Sequence, residues 1–110
     1  MTSPFDGISG SPLDTFASEA LTVAAAAVGF TEGTMAPGGA QPAYAAFVTV
    51  EDAPIRALAT GTDPTATVGT PYAIGDTFVV WGRRDLMSIR FIRQGGASAT
   101  LSTEFARQVA

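Results

Sequence analysis

The chain has 110 residues, a formal net charge of −4 and no cysteine or histidine. This length predicts one domain with one modest core, and the missing residue types exclude disulfides, thiolate nucleophiles and Cys/His metal sites. All basic side chains are arginines dispersed in an acidic chain, which argues against nonspecific nucleic-acid binding, since that requires a basic surface.

The first 18 residues predict an extended N-terminal arm. This segment is rich in Ser, Pro, Gly and Asp and too poor in apolar residues to fold by itself. Phe5, Leu13 and Phe16 are widely spaced along it, as suits anchors that insert into pockets of a neighbouring subunit. A terminus that frays is the alternative. The predicted division is an arm over residues 1–18 and a folded domain over residues 19–110.

The beginning of the chain has neither the basic start nor the apolar stretch of a signal peptide. No apolar run approaches the length of a membrane span. We therefore expect no membrane partner.

Short apolar or alternating segments separated by turn residues predict strands along the rest of the chain. The segment 20–30 is ambiguous, because alanine favours a helix while its valines and phenylalanine favour a strand; we predict a strand. The predicted strands are 20–30, 44–51, 55–60, 77–82, 87–94 and one within 97–108. In the last of these, Ala99, Leu101, Thr103 and Phe105 are expected to face inward.

Two turns between these strands bear on possible contacts. Arg83-Arg84-Asp85 predicts a solvated polar turn, with an inter-subunit contact of Arg83 and Arg84 as the alternative. Gly95-Gly96 predicts a two-residue hairpin with positive φ angles. Arg90 and Glu104 would face outward on the two strands of that hairpin, although an ion pair between them requires a bulge or a different turn.

Strands at this spacing, with no long helical period, predict an all-β fold. We expect a single small β-sandwich, immunoglobulin-like or jelly-roll-like, with an extended N-terminal arm.

The stretch "GTDPTATVGTPY", residues 61–72, is the nearest approach to a motif. A phosphate-binding loop requires a lysine beside its last glycine, and the chain has none. A calcium site requires several oxygen ligands, whereas this stretch holds one carboxylate, Asp63. An ordinary turn is the better interpretation, with the Asp63 side chain accepting a backbone N–H and Pro64 fixing φ.

The remaining chemistry is sparse. Glu51 and Asp52 are sequence neighbours at a strand end, where adjacent side chains face opposite sides, and Asp76 and Asp85 lie at opposite ends of one strand. We therefore predict no catalytic residues, no cofactor and no metal. Trp81 and the two tyrosines could form a sugar-binding platform, but packing in the core or an interface is the preferred interpretation of Trp81.

The stretch from Phe47 to Arg107 contains a series of short motifs. A strand ends in "TVEDA" (Thr49–Ala53) and is followed by "IR" (Ile55-Arg56), "GTDPTATVG" (Gly61–Gly69) and "GD" (Gly75-Asp76) before an apolar strand. An "IRFIR"-like strand (Ser88–Arg93) and a threonine-rich strand come next. This pattern resembles a family of small virion structural proteins of tailed bacteriophages. The "GTDPT" turn also resembles a "DGSDPT" turn in immunoglobulin-like modules of carbohydrate-active enzymes, although Thr60 stands where those modules carry Asp.

The phage resemblance implies a non-enzymatic structural protein located in the virion. We expect a capsid decoration or cement protein whose partners are the major capsid protein or other virion proteins, and which forms homo-oligomers on the particle. Its contacts would come from Phe5, Leu13, Phe16, Arg83 and Arg84. A tail or fibre-associated protein and a carbohydrate-binding sandwich are the alternatives.

Overall fold

In the computed structural model, which describes residues 13–38 and 41–108, two antiparallel sheets pack face to face. The larger sheet contains, from edge to edge, β1 (Leu13–Val23), β7 (Ala99–Gln108), β2 (Ala45–Val50) and β5 (Thr77–Trp81). The smaller sheet contains β4 (Thr70–Tyr72), β3 (Ile55–Leu58) and β6 (Arg90–Arg93), in that order. Two short helices, α1 (Glu32–Met35) and α2 (Arg83–Ser88), lie in connections. The predicted all-β sandwich is confirmed.

Three phenylalanines link the two sheets across the core. The ring of Phe30 lies 5.1 Å from the ring of Phe91 and 5.2 Å from that of Phe105, in edge-on contacts. Phe91 belongs to the smaller sheet and Phe105 to the larger one, so Phe30 packs between them. Edge-on geometry is favourable because the positive ring edge meets the negative ring face.

The alternation of β7 is as predicted. Its inward-facing residues Ala99, Leu101, Thr103 and Phe105 are all buried. They face β3 and β6 across the core, and this strand pairs with β1 on one side and β2 on the other.

The boundary between arm and domain is not where the sequence suggested. Residues 13–18 form the first half of β1, with Leu13 opposite Gln108 and Ser18 opposite Glu104 on β7. By pairing with β7 along one edge, this polar, extended segment gains backbone hydrogen bonds that composition alone does not reveal. The part of the predicted arm before Leu13, including Phe5, lies outside the described residues.

The predicted strand over residues 20–30 ends early, at Val23. The chain then leaves the larger sheet and runs along the edge of the smaller one. Val28 and Phe91 exchange backbone hydrogen bonds of 2.9 and 2.8 Å there, and the Arg93 N–H donates to the Ala24 carbonyl over 3.1 Å.

Two predicted turns differ in the structure. Residues 83–85 begin α2 instead of a turn, because Gly82 adopts a φ of +86° and Leu86 can then be buried one helical turn later. Gly95-Gly96 does not close a hairpin: β6 and β7 belong to different sheets, and neither glycine has a positive φ. A tight two-residue turn joins strands that are about 4.8 Å apart in one sheet, whereas packed sheets lie about 10 Å apart.

Arg90 and Glu104 are consequently separated between the two sheets. Arg90 Nη1 donates to the carbonyl oxygens of Met87 and Ile89 at 3.0 and 2.8 Å. Glu104 lies between Ser18 and Phe47 in the larger sheet. The suggested cross-strand pair is therefore wrong.

Candidate interaction surface

Among the residues expected to make contacts, three lie at one end of the larger sheet. Leu13 is the first residue of β1. Trp81, Ala45 and Ala106 lie side by side on β5, β2 and β7, and Leu13 lies two residues beyond this row. Arg83 and Arg84 follow Trp81 at the start of α2, and both are exposed. Leu13 thus lies at the same end of the sheet as the two arginines but at the opposite edge, because β1 and β5 are its two edge strands.

Phe16 lies a little further along β1, at an irregularity where the register with β7 shifts. The guanidinium carbon of Arg107 lies 4.2 Å from the centre of its ring. This cation–π contact packs Phe16 against its own domain, and a contact of Phe16 with a neighbouring subunit stays a prediction.

A small apolar cluster covers the outer face of the larger sheet, on the side away from the core. We call it the outer cluster; its members are Leu13, Tyr44, Ala45, Phe47, Val79 and Ala106. Ala45 and Ala106 are 0% exposed although their side chains point outward. Because alanine is small, the larger side chains around it can close over the backbone.

Trp81 extends the outer cluster toward the end of the sheet. Its side chain is 40% exposed, and its ring lies 6.4 Å from the ring of Tyr44 in a T-shaped arrangement. Of the two forms of packing predicted for Trp81, burial in the core is not found within this chain, and packing in an interface stays a prediction. An exposed tryptophan beside an arginine pair combines the residue types that dominate interface energetics.

A shallow groove of about 650 Å³ lies further along the same outer face. Its lining combines hydroxyl groups with an aromatic ring and a carboxylate: Ser18, Thr49, Ser102, Phe47 and Glu104. Sequence reasoning missed this groove because its residues come from three strands and carry no local motif.

The stretch at residues 61–72 is a loop followed by β4, and it is held by one arginine. Arg56 Nε donates to the Ala66 carbonyl at 2.9 Å, and Arg56 Nη1 donates to the Gly69 carbonyl at 2.7 Å. The backbone N–H of Val68 donates to Thr65 Oγ1 at 3.0 Å. The turn interpretation holds, but Thr65 accepts the backbone N–H groups and Asp63 is exposed.

The carboxylates near the strand ends accept hydrogen bonds from the fold itself. Asp52 Oδ1 accepts from the Thr100 N–H at 2.8 Å, and Glu51 accepts from the Ser102 hydroxyl. Both acidic residues thus reach β7, although the sequence predicted that their side chains face opposite sides. That prediction fails because both residues lie beyond the last residue of β2, where side chains no longer alternate between the two faces of a strand. They tie the β2–β3 turn to β7.

Asp76, whose carbonyl oxygen accepts from the Val50 N–H next to Glu51, has the same kind of role. Its Oδ2 accepts from the Ala73 N–H at 2.7 Å, which closes the turn between β4 and β5. Tyr72 stacks on Phe78 with ring centres 4.0 Å apart. Burial raises the pKa of the Tyr72 phenol, and the nearby Asp76 carboxylate raises it further.

In residues 13–38 and 41–108, no group of three or more acidic, histidine or cysteine side chains is placed to hold a metal ion. No helix there is both long and apolar enough to cross a membrane.

Comparisons with protein families, with curated proteins and with solved structures found no match to this chain. The resemblance to phage virion proteins accordingly remains an expectation from the sequence.

Proposed function

We propose that this chain is a non-enzymatic virion structural protein of a tailed bacteriophage, and specifically a capsid decoration protein. Its partner is the major capsid protein, and it acts by joining neighbouring capsid subunits. The observation that carries this proposal is the outer cluster with its exposed Trp81, flanked by Arg83 and Arg84. The sequence resemblance supplies the virion context.

The proposed mechanism is association through a rigid surface. The outer cluster sits on a four-stranded sheet backed by the core, so little conformational entropy is lost when it docks. Trp81 supplies the largest apolar side chain, and the arginines can fork onto carboxylates of the partner. The carboxylates Glu51, Asp52 and Asp76 are engaged in holding turns, which suits a structural protein.

The proposal is tested with capsids assembled from the major capsid protein encoded by the same phage. Trp81→Ala should weaken co-sedimentation at least about 30-fold, since loss of an interface tryptophan costs about 2 kcal/mol or more. Ile74→Ala is the matched control, because Ile74 is also an exposed apolar residue, at 57%, but lies in the β4–β5 turn. It should bind as the parent does.

Equal binding by Trp81→Ala and the parent protein would contradict the docking surface. Immunogold electron microscopy of whole particles addresses the location. Label over the head supports a decoration protein, whereas label confined to the tail or fibres supports the alternative structural role.

A carbohydrate-binding module is the second candidate, and the groove favours it. Ser18, Thr49 and Ser102 line the groove together with Phe47 and Glu104. Sugar sites likewise combine polar hydrogen-bonding groups with an aromatic face. Affinity electrophoresis through gels containing soluble polysaccharides tests this. Retardation that Glu104→Gln abolishes would favour the module over the virion protein.

A further inference from the structure

The four edge strands of the sandwich are not equally protected against pairing with another chain. An unpaired strand edge presents a row of N–H and C=O groups, and proteins usually block such edges with proline, charge, a bulge or a covering segment. Three of the four edges here carry such a device.

The edge of β4 is only three residues long and has Pro71 at its centre. The edge of β6 is covered by residues 24–28, which form backbone hydrogen bonds with Phe91 and Arg93. The edge of β1 carries an irregularity between Thr15 and Ala17 and two acidic residues.

Within residues 13–38 and 41–108, the fourth edge, β5, has none of these devices. Its sequence is Thr-Phe-Val-Val-Trp, with no charge, no proline and a regular five-residue register against β2. These are residue types with high β propensity. The strand is therefore the one edge, among the described residues, that is ready to accept another strand.

The direction of the backbone groups on β5 follows from its pairing. Because the Val50 N–H donates to the Asp76 carbonyl, the alternation of an antiparallel ladder turns the peptide groups of Phe78 and Val80 toward β2. The N–H and C=O groups of Thr77, Val79 and Trp81 then point outward from the sheet.

We infer that β5 pairs antiparallel with β5 of a second copy of this chain, with Val79 on the two-fold axis. Val79 of each copy then forms a hydrogen-bonded pair with Val79 of the other, and Thr77 lies opposite Trp81 on both sides. The two four-stranded sheets become one continuous sheet of eight strands.

Charge complementarity selects a second copy in this orientation. The strand is flanked by Asp76 at its beginning and by Arg83 and Arg84 just after its end. In the antiparallel pair, Asp76 of one copy lies opposite Gly82 of the other and beside its Arg83. The contact occurs twice by symmetry, and a parallel pair would instead place like charges together.

The pairing also continues the outer cluster across the interface. Val79 and Trp81 lie on the outer face, so the two copies bring their exposed tryptophans close to Thr77 and Val79 of the partner. A five-residue edge buries little surface, and we expect a dimer that forms and dissociates with concentration.

Sedimentation equilibrium of the purified protein over a wide concentration range tests this, without any capsid present. We expect a rise from the monomer mass of 11.2 kDa to twice that value. Val79→Lys should abolish the rise, because two ammonium groups would meet at the axis. Val79→Thr, which keeps the β-branched shape without charge, should retain it.

The absence of cysteine in the chain provides a second readout. Val79→Cys introduces a single thiol whose counterpart lies about 5.5 Å away between Cα atoms, within disulfide range. Mild oxidation should convert this variant to a covalent dimer much faster than Ser98→Cys, an exposed control far from β5.

A parent protein that stays monomeric at all concentrations would overturn the inference. So would a dimer that persists in Val79→Lys, or equal cross-linking of the Val79→Cys and Ser98→Cys variants. The inference does not depend on the virion proposal: loss of capsid binding in Trp81→Ala and loss of dimerisation in Val79→Lys are measured separately.

Discussion

Arg56 Nη1 donates a 2.7 Å hydrogen bond to the carbonyl oxygen of Gly69, thirteen residues further along the chain. A second bond runs from Arg56 Nε to Ala66. One β3 side chain thereby closes the loop that precedes β4. The loop owes its shape to a residue outside it.

We predict that Arg56→Ala destabilises the protein by about 1–3 kcal/mol, because two charge-assisted hydrogen bonds are lost from a partly buried site. Urea denaturation measures the change. Asp63→Ala is the control within the same loop and should change stability by less than about 0.5 kcal/mol, since Asp63 is exposed. A larger loss for Asp63→Ala than for Arg56→Ala would restore the aspartate as the residue that holds the turn.

Gly69 is the glycine whose replacement should cost most. Its φ is +127°, and an added Cβ would lie 3.1 Å from the Ala57 carbonyl oxygen and 3.2 Å from Pro64 Cβ. Gly69→Ala should therefore lose about 2–4 kcal/mol, from backbone strain and from displacing the loop. The midpoint of thermal or urea unfolding reports this loss.

Gly61→Ala separates the two causes. Gly61 also has a positive φ, +89°, but its added Cβ would meet no atom within 4 Å. Gly61→Ala should therefore lose only the part of the unfolding free energy that comes from backbone strain. Equal losses at the two positions would show that the close contacts at Gly69 are relieved easily.

The Asp52 side chain should contribute about 1–2 kcal/mol to the free energy of unfolding. Its two oxygens accept from the Thr100 N–H and, over 3.2 Å, from the Thr100 hydroxyl, joining the β2–β3 turn to β7. Asp52→Ala removes both bonds, whereas Thr100→Val removes only the hydroxyl bond and should cost less. Hydrogen exchange of the Thr100 amide should accelerate in Asp52→Ala; an unchanged exchange rate would contradict the role.

Alkaline pH should destabilise the protein through Tyr72. Its folded pKa is raised above the ordinary value of 10.0, so the folded state holds the phenol proton more tightly than the unfolded state does. This contribution is complete below the unfolded pKa and is lost as pH rises through the folded pKa. The free energy of unfolding in urea should therefore fall above about pH 10.

Tyr72→Phe removes the titrating hydroxyl and keeps the ring that stacks on Phe78. The alkaline decline should become shallower in this variant. An identical decline in the parent and in Tyr72→Phe would assign the pH dependence to other groups.

The strands themselves were largely predictable, because their signal is local. Thr77–Trp81 is a short run of β-branched and aromatic residues, and Ala99–Gln108 alternates between buried and more exposed side chains. Each pattern is typical of a strand that packs one face on a core. It does not depend on which strand is the neighbour in the sheet. The turn character of the loop after β3 followed equally from its prolines and glycines.

The predictions from sequence were wrong where the structure of a segment depends on a strand that is distant in sequence. Residues 13–18 look like an arm until β7 supplies hydrogen bonds, and Gly95-Gly96 looks like a hairpin until its two strands enter different sheets. Arg83 could not be placed in a helix from its neighbours alone, since the helix depends on the +86° turn at Gly82 and on burial of Leu86.

By itself the sequence determined the fold class, one small all-β domain, and excluded cysteine and histidine chemistry. Residue composition and a period of two are properties of the chain alone, and they set what each segment can bury. The tertiary structure decided which surfaces result: it gathered Leu13, Tyr44 and Trp81 on one outer face and placed β5 at the edge of the larger sheet. Strand order carries that information, and strand order depends on the summed packing of the whole domain.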